Sequence, residues 1–292
     1  EASQADIASA IPALARAKRA VIVGDDRQLA FIPSIGQAQE RNLLSAAGFG
    51  QRKGLGIFSQ GRRTLFDLAL VQSRKTEHAH SVMLREQYRS APEITEFIGE
   101  SFYGGQLRPA VDPEKLILPK GAKPGLSWTD VKGASERGTE GGYMNRLEAD
   151  KITDHLAEVL LDQDYRGTVG IIAPFNAQVG LIKRKIFDRI PHQVRQRAAM
   201  KIDTIDAFQG EERSLILISP VVAGQSPGQA TNFLARDRRR LNVAVSRAQA
   251  VAHIFGDLDF ARSAEGIPDL RGLAAWATEP RRRPEDQDAG SL

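Results

Sequence analysis

The chain has 292 residues, 41% of them hydrophobic, which is enough for about two domains with sizeable buried cores. Forty basic residues against 36 acidic ones leave a formal charge of +4, a balance that permits contact with nucleic acid without requiring it. Cysteine is absent, which excludes disulfides, thiolate zinc sites and thiol catalysis; the five histidines are scattered, and no apolar run approaches the roughly 18 residues of a membrane span.

No signal peptide is visible and the chain starts with Glu1, so it reads as a segment of a longer protein that is intracellular, in the cytoplasm, with no membrane partner. In chain order, residues 6–17 carry apolar positions at helical spacing. Ala20-Val21-Ile22-Val23, followed by Gly24-Asp25, predicts a buried parallel strand with chemistry at its carboxyl end. Residues 34–62, rich in Gly, Gln, Ser and Arg, predict a loop with short helical pieces, and residues 65–71 a helix. Gly56 to Arg63 has the glycine spacing of a phosphate loop but lacks its Lys and hydroxyl, and no true phosphate loop occurs in the chain.

A second unit begins near Ser81. Val82-Met83-Leu84 predicts a strand, and residues 91–102 a helix with Ile94, Phe97, Ile98 and Phe102 on one stripe. Residues 104–142 hold many glycines and prolines and predict an irregular excursion with one short strand at 126–131. The spacing then predicts an amphipathic helix at 145–161, a buried strand at 168–173, a helix at 176–190, strands at 201–205 and 215–222, a helix at 237–248 and a strand at 251–256. Strands alternating with helices predict an α/β fold with a mostly parallel sheet flanked by helices. The Pro-, Arg- and acid-rich tail from Glu279 predicts disorder.

Several stretches carry chemistry. In Arg239 to Ala248, Leu241, Val245 and Ala248 share one helix face while Arg240, Ser246 and Arg247 leave it, an arrangement that delivers a fixed guanidinium to a rim where it can meet a phosphate. Thr204 to Glu211 reads as a strand end turning through Gln209-Gly210-Glu211, where Gly210 lets the backbone approach a ligand closely. Tyr88 offers a ring for stacking on a base and Arg89 a planar donor fork for phosphate oxygens. Pro174 and Asn176 leave a strand and enter a helix, with helix capping as the main role of such residues. Lys183, Arg184 and Lys185 read as a solvated helix face.

In this order the motifs resemble those of superfamily 1 helicases, close to the superfamily 1B branch that includes the nonsense-mediated-decay RNA helicase and its DNA-acting relatives. Glu1-Ala2-Ser3-Gln4 resembles the end of that family's Asp-Glu-Ala-Ser-Gln motif, Gly24-Asp25-Asp26-Arg27-Gln28-Leu29 its third motif, Gln87-Tyr88-Arg89 its Gln-Tyr-Arg motif, and the two stretches ending at Glu211 and Ala248 its last two. The third motif departs from the family at Ala30 to Pro33, where a Pro-Pro pair is usual.

The resemblance covers residues 1–260 and implies a RecA-like P-loop NTPase fold: residues 1–78 the carboxyl part of a first, incomplete domain, 79–262 a complete second domain, and 263–292 a helix and tail. It implies ATP and Mg²⁺ as cofactors, with the Mg²⁺ ligands expected upstream of this segment and none within it. The implied partners are single-stranded DNA or RNA and the missing amino-terminal half of the first domain. The same resemblance implies Glu1 as the base for the attacking water, Gln28 as the γ-phosphate sensor, Arg89 as a phosphate-facing arginine and Arg247 as the arginine finger. Tyr88 is the implied adenine platform, Gly210 and Glu211 face nucleotide with Glu211 on a sugar hydroxyl, and Pro174, Asn176 and Thr204 lie along the nucleic-acid path. The whole implies an ATP-dependent helicase or translocase whose isolated segment, without a phosphate loop, is inactive. The alternatives are a non-catalytic RecA-like binding or regulatory module, or the ATPase component of a nuclease or defence system.

Overall fold

The computed structural model describes all residues except 34, 51, 60–62, 76–79, 140, 264–265 and 280–292, so the disorder expected beyond Glu279 lies outside the described residues. The chain divides into two units, Glu1–Leu84 and the part from Arg85 onward.

The first unit carries helices α1 (Ile7–Leu14), α2 (Gln37–Ala46) and α3 (Leu65–Ser73). Asp6 caps α1 by accepting from the Ser9 amide at 2.8 Å. Thr64 and Asp67 cap α3 reciprocally, the Asp67 amide donating to Thr64 Oγ1 at 3.1 Å and the Thr64 amide to Asp67 Oδ2 at 2.9 Å. Residues 34–62 contain the expected helical pieces, α2 and a 3₁₀ turn at Leu55–Phe58. The strand expected at Ala20 to Val23 does not form. Val21 is 92% exposed, and β-branched residues are stabilised as a strand only against neighbouring strands, of which the described residues of this unit contain none.

The strand expected at 82–84 is displaced into the second unit. Pairing starts at β1 (Glu86–Gln87), which runs parallel to β2 (Arg108–Pro109). Between them α4 (Pro92–Phe102) starts on a proline and buries the predicted stripe Ile94, Phe97, Ile98 and Phe102. There follow β3 (Gly125–Asp130), the hairpin strands β4 (Glu136–Arg137) and β5 (Tyr143–Met144), and α5 (Arg146–Ala157), which ends in a π turn at Glu158–Asp162. Then come β6 (Val169–Ala173), α6 (Asn176–Arg189), α7 (His192–Arg197), β7 (Lys201–Thr204), β8 (Arg213–Ile218), α8 (Gly228–Ala235), α9 (Arg239–Ser246), β9 (Ala248–Gly256), α10 (Leu258–Arg262) and α11 (Pro268–Thr278).

Five of these strands form one fully parallel sheet in the order β3-β9-β8-β6-β7. Its strands are nearly continuous apolar runs because both faces are covered. Ile171, Leu215 and Leu217 pack with Ile152, Leu156 and Ile182 of α5 and α6. The alternate residues Ile172, Ile216 and Ile218 are equally buried on the other face, where α4, α9 and α11 lie against β3 and β9. The expected α/β class, a mostly parallel sheet flanked by helices, is therefore the architecture of this unit.

Several boundaries differ from expectation. The strand expected at 215–222 runs from Arg213 to Ile218, short of the left-handed Val221. The helix expected to run through Ala248 stops at Ser246, and Ala248 opens β9. The Arg213 amide donates to the Arg247 carbonyl at 3.0 Å, so the chain is captured by the β8 ladder before another helical turn closes.

Candidate functional site

In the first unit, the stretches 1–4 and 24–31 are knit into one hydrogen-bonded piece. Ser3 Oγ donates to the Glu1 carboxylate and accepts from the Asp25 amide at 3.1 Å. The Asp25 carboxylate accepts from Gln28 Nε2 at 2.9 Å and from the Arg27 amide at 2.9 Å. Glu1 and Gln28 are thus linked through Ser3 and Asp25. The Phe31 amide donates to the Ser3 carbonyl at 3.3 Å, which steadies the stretch where the Pro-Pro pair is missing. Gly24 has a steric reason: a Cβ there would stand 2.8 Å from the Phe66 ring and 3.0 Å from the Ser3 nitrogen.

In the second unit the sequence-predicted residues divide between the two edges of the parallel sheet. Tyr88, Arg89, Gly210, Glu211 and Arg247 lie at or near the amino ends of β8 and β9, which start side by side, Arg213 opposite Ala248. Tyr88 is 67% exposed, and its hydroxyl donates to the Glu86 carboxylate, which holds the phenol above its ordinary pKa. Gln87 Oε1 accepts from the amides of Arg89 and Ser90 at 2.9 and 2.8 Å and so sets the backbone from which Arg89 projects. Gly210 has φ +83°, a conformation that favours glycine. The next two carboxylates go opposite ways. Glu211 meets Arg213 Nη1 at 3.0 Å and Lys201 Nζ at 3.3 Å, and these bonds hold its carboxyl below the usual range. Glu212 pairs with Arg89 Nε and accepts from Gln249 Nε2 at 3.0 Å.

Glu212 escaped the sequence reading, although the alternation of side chains on entering a strand could have flagged it as facing away from Glu211. Arg247 also departs from expectation. It is 2% exposed and folds back on its own helix end: Nε donates to the Val243 carbonyl at 3.2 Å, Nη1 to the Glu211 carbonyl at 3.4 Å and Nη2 to Ser246 Oγ at 3.0 Å. A planar donor fork at a helix C-cap finds carbonyl acceptors there, so the guanidinium is tucked in and does not stand on a rim.

Pro174, Asn176 and Thr204 gather at the opposite, carboxyl-terminal edge. Ala173 is in register with Thr204, and the Ile205 amide donates to the Ala173 carbonyl at 3.2 Å, so the chains leaving β6 and β7 run side by side. Asn176 does not cap its helix. It is the first residue of α6, and the N-cap position is Phe175, which makes no side-chain cap bond. Phe175 instead packs against Tyr143 and Phe233, ring centres 5.6 and 5.0 Å away, and Arg240 stacks 4.0 Å over Phe233 while Nη1 donates to its carbonyl at 2.7 Å. In the basic run of α6, Lys185 is paired with Asp150 at 2.5 Å.

The segment 205–212 joins the two edges. It leaves the carboxyl end of β7 at Thr204, makes a 3₁₀ turn at Asp206–Phe208, and enters the amino end of β8 after Glu211 and Glu212. Among the described residues no group of three or more His, Asp or Glu is placed to hold a metal ion, and no helix is long and apolar enough to cross a membrane.

Residues 62–259 match the family described as an AAA domain. The DNA polymerase alpha-associated DNA helicase A of Saccharomyces cerevisiae is 26% identical over 278 residues, 89% of this chain and 37% of that protein. Helicase SEN1 of the same yeast is 26% identical over 263 residues, 86% of this chain and 10% of that protein. The regulator of nonsense transcripts 1 homolog of Neurospora crassa is 26% identical over 254 residues, 85% of this chain and 21% of that protein. The chain therefore spans between a tenth and a little over a third of the length of these relatives.

Proposed function

The chain belongs to the AAA domain family, and from that premise we propose that it is part of an ATP-dependent nucleic-acid helicase or translocase, with 79–262 as its second RecA-like domain. The amino-terminal edge of the sheet serves the nucleotide: Tyr88 as adenine platform, Arg89 and Arg247 as phosphate-facing cations, Gly210 and Glu211 beside the sugar. The carboxyl-terminal edge, with Pro174, Asn176 and Thr204, serves single-stranded DNA or RNA. Glu1 and Gln28 are the base and the γ-phosphate sensor of the first unit. The observation that carries this reading is the connector 205–212, one end of which lies at Thr204 and the other at Glu211. A chain segment anchored at both edges converts occupancy of one into displacement of the other.

Phosphoryl transfer needs fixed positive charge where the γ-phosphoryl oxygens gain negative charge. An exposed ring, two guanidiniums and a glycine-opened backbone turn fit a nucleoside triphosphate. They do not fit a magnesium site, because their one carboxylate, Glu211, is already paired with Lys201 and Arg213. Arg247 reaches a phosphate by exchanging its carbonyl partners for stronger, charge-assisted bonds to phosphate oxygens.

The test measures ATP hydrolysis and binding of single-stranded nucleic acid by the full-length parent protein. Arg247→Ala should lower turnover by about 10³-fold, the scale of an arginine finger, and change nucleic-acid affinity far less. Equal losses would move Arg247 into a binding role. This chain by itself, having no phosphate loop, should show no turnover above background, and hydrolysis that Arg247→Ala abolishes would defeat that expectation.

A further inference from the structure

Four polar side chains away from the nucleotide-facing edge are completely buried: Asn145, Glu148, Gln178 and Ser219. They join three elements. Asn145 caps α5, Glu148 stands in the first turn of that helix, Gln178 in the first turn of α6, and Ser219 directly follows β8. Glu148 Oε2 accepts from Ser219 Oγ at 2.5 Å and from the Val221 amide at 2.9 Å, and its Oε1 accepts from Asn145 Nδ2 at 3.0 Å. Gln178 Nε2 donates to Ser219 Oγ at 2.9 Å and to the Asn145 carbonyl at 3.0 Å, and its Oε1 accepts from the Asn145 amide at 2.8 Å.

Val221 is the point on which this network acts. Its φ is +70°, a left-handed conformation that a β-branched residue adopts only under external constraint. Both its backbone polar groups are held, the amide by Glu148 and the carbonyl by Ser135 Oγ at 2.6 Å. The loop so constrained lies in the carboxyl-terminal edge. Ile172 is in register with Ile218, and the Ser219 amide donates to the Ile172 carbonyl at 2.9 Å, which sets Ser219 beside the turn holding Pro174 and Asn176. Burying a carboxyl is unfavourable, and burial pushes Glu148 up to about 8 against the opposite pull of its hydrogen bonds. An apolar side chain of similar size would fill the same space without that cost but would offer the Val221 amide no acceptor.

We propose that Glu148 is a positioning residue for single-stranded nucleic acid. Through Ser219, Gln178 and the strained Val221 it holds the loop after β8 and the first turn of α6 in the arrangement that sets Pro174, Asn176 and Thr204 along one phosphate backbone. Glu148 does not touch the strand. The inference rests on the reading of this edge as the nucleic-acid edge.

The test titrates fluorescein-labelled 20-mers of oligodeoxythymidylate and oligouridylate with the full chain, following anisotropy. Glu148→Met, close in volume but without an acceptor, should raise the Kd for both by about tenfold, within the range of coupling inside one hydrogen-bond network. Glu148→Gln keeps an acceptor for the Val221 amide and should stay near wild type. Val221→Gly removes the strain, so the Glu148→Met/Val221→Gly double variant should return to within about threefold of wild type. A general packing role for Glu148 would not be rescued from the loop, and absence of rescue overturns the proposal.

Asn176→Ala with Thr204→Ala separates the two ideas. If that pair weakens binding and Glu148→Met does not, the edge stands and the positioning role falls. If neither changes affinity, or the wild type binds neither oligonucleotide, the reading of the edge fails and the inference with it. If Glu148→Met folds only together with Val221→Gly, the double variant must still bind within threefold of wild type. If neither folds, Glu148 serves the whole fold and the proposal is lost.

Discussion

The two edges of the parallel sheet solve opposite problems. At the amino-terminal edge Arg247 is buried, but the other charges are partly exposed and paired across short distances: Arg89 with Glu212, Glu211 with Lys201 and Arg213. Such pairs contribute little net stability because water screens them, so they exchange partners at small cost. At the carboxyl-terminal edge the polar groups are sealed: Asn145, Glu148, Gln178 and Ser219 are bonded to one another in the dry interior. There a lost partner is expensive, since a buried donor or acceptor has no water to turn to. One edge therefore carries pairs that exchange readily, and the other a network that holds still.

The contrast can be attacked from both sides and at its joint. The largest expected effect is at the joint. Phe208, fully buried in the 3₁₀ turn between the edges, packs so closely beneath Gly170 that a Cβ there would stand 2.6 Å from its ring. Phe208→Ala should cost about 3–5 kcal/mol of stability, read from urea denaturation, and a loss below 1 kcal/mol would show that the connector is not anchored.

Next comes the sealed edge. The Glu148 carboxyl is raised from 4.5 to about 8 in the fold, so folding favours its protonated form. That stabilisation is fully present below pH 4.5, its ordinary value, and is lost as pH rises through about 8, a change on the order of a few kcal/mol. Denaturation at a series of pH values should therefore show wild type weakening from pH 5 to 9 relative to Glu148→Gln, which has nothing to titrate there. Parallel curves for the two proteins would sink this assignment.

The smallest effect belongs to the exposed edge. Glu212→Gln should change stability by less than about 1 kcal/mol, and a larger loss in the same denaturation assay would mean that this edge is as rigid as the other.

What was legible in the sequence follows from the range of the interactions. The α4 stripe and the helix at α6 are written in spacing along a single element, and β6 in an unbroken apolar run, so each is found where it was expected; the apolar run 215–222 marks β8 but not its end at Ile218, since nothing local shows that Val221 turns left-handed. Ala20 to Val23 is an apolar run like β6 but remains largely exposed, because a strand is defined by its neighbours as much as by its residues. Asn176 looked like a cap and is not one, since Phe175 takes that position and turns its ring toward Tyr143 and Phe233. Motif residues could be named in chain order, but their division between two edges emerges only from strand register. Glu148 was invisible for a plainer reason: its partner Ser219 lies 71 positions away, and nothing local marks a carboxylate that so distant a group will embrace, whereas alternation at Glu212 could tell its direction but not its partner Arg89, 123 positions off.

The brevity of the segment 205–212 has a mechanical consequence. Eight residues fully stretched span about 27 Å, and part of that reach is spent in the 3₁₀ turn, while β8 alone covers about 20 Å along the direction that must be retraced. Much of that reach is taken up by consecutive turns, in which the Phe208, Gln209 and Glu211 amides donate to the Ile205, Asp206 and Phe208 carbonyls, and the Phe208 ring is sealed in the core. A segment wound and anchored in this way places Thr204 and Glu211 as parts of one packed body, so residues inserted into it should disturb both together.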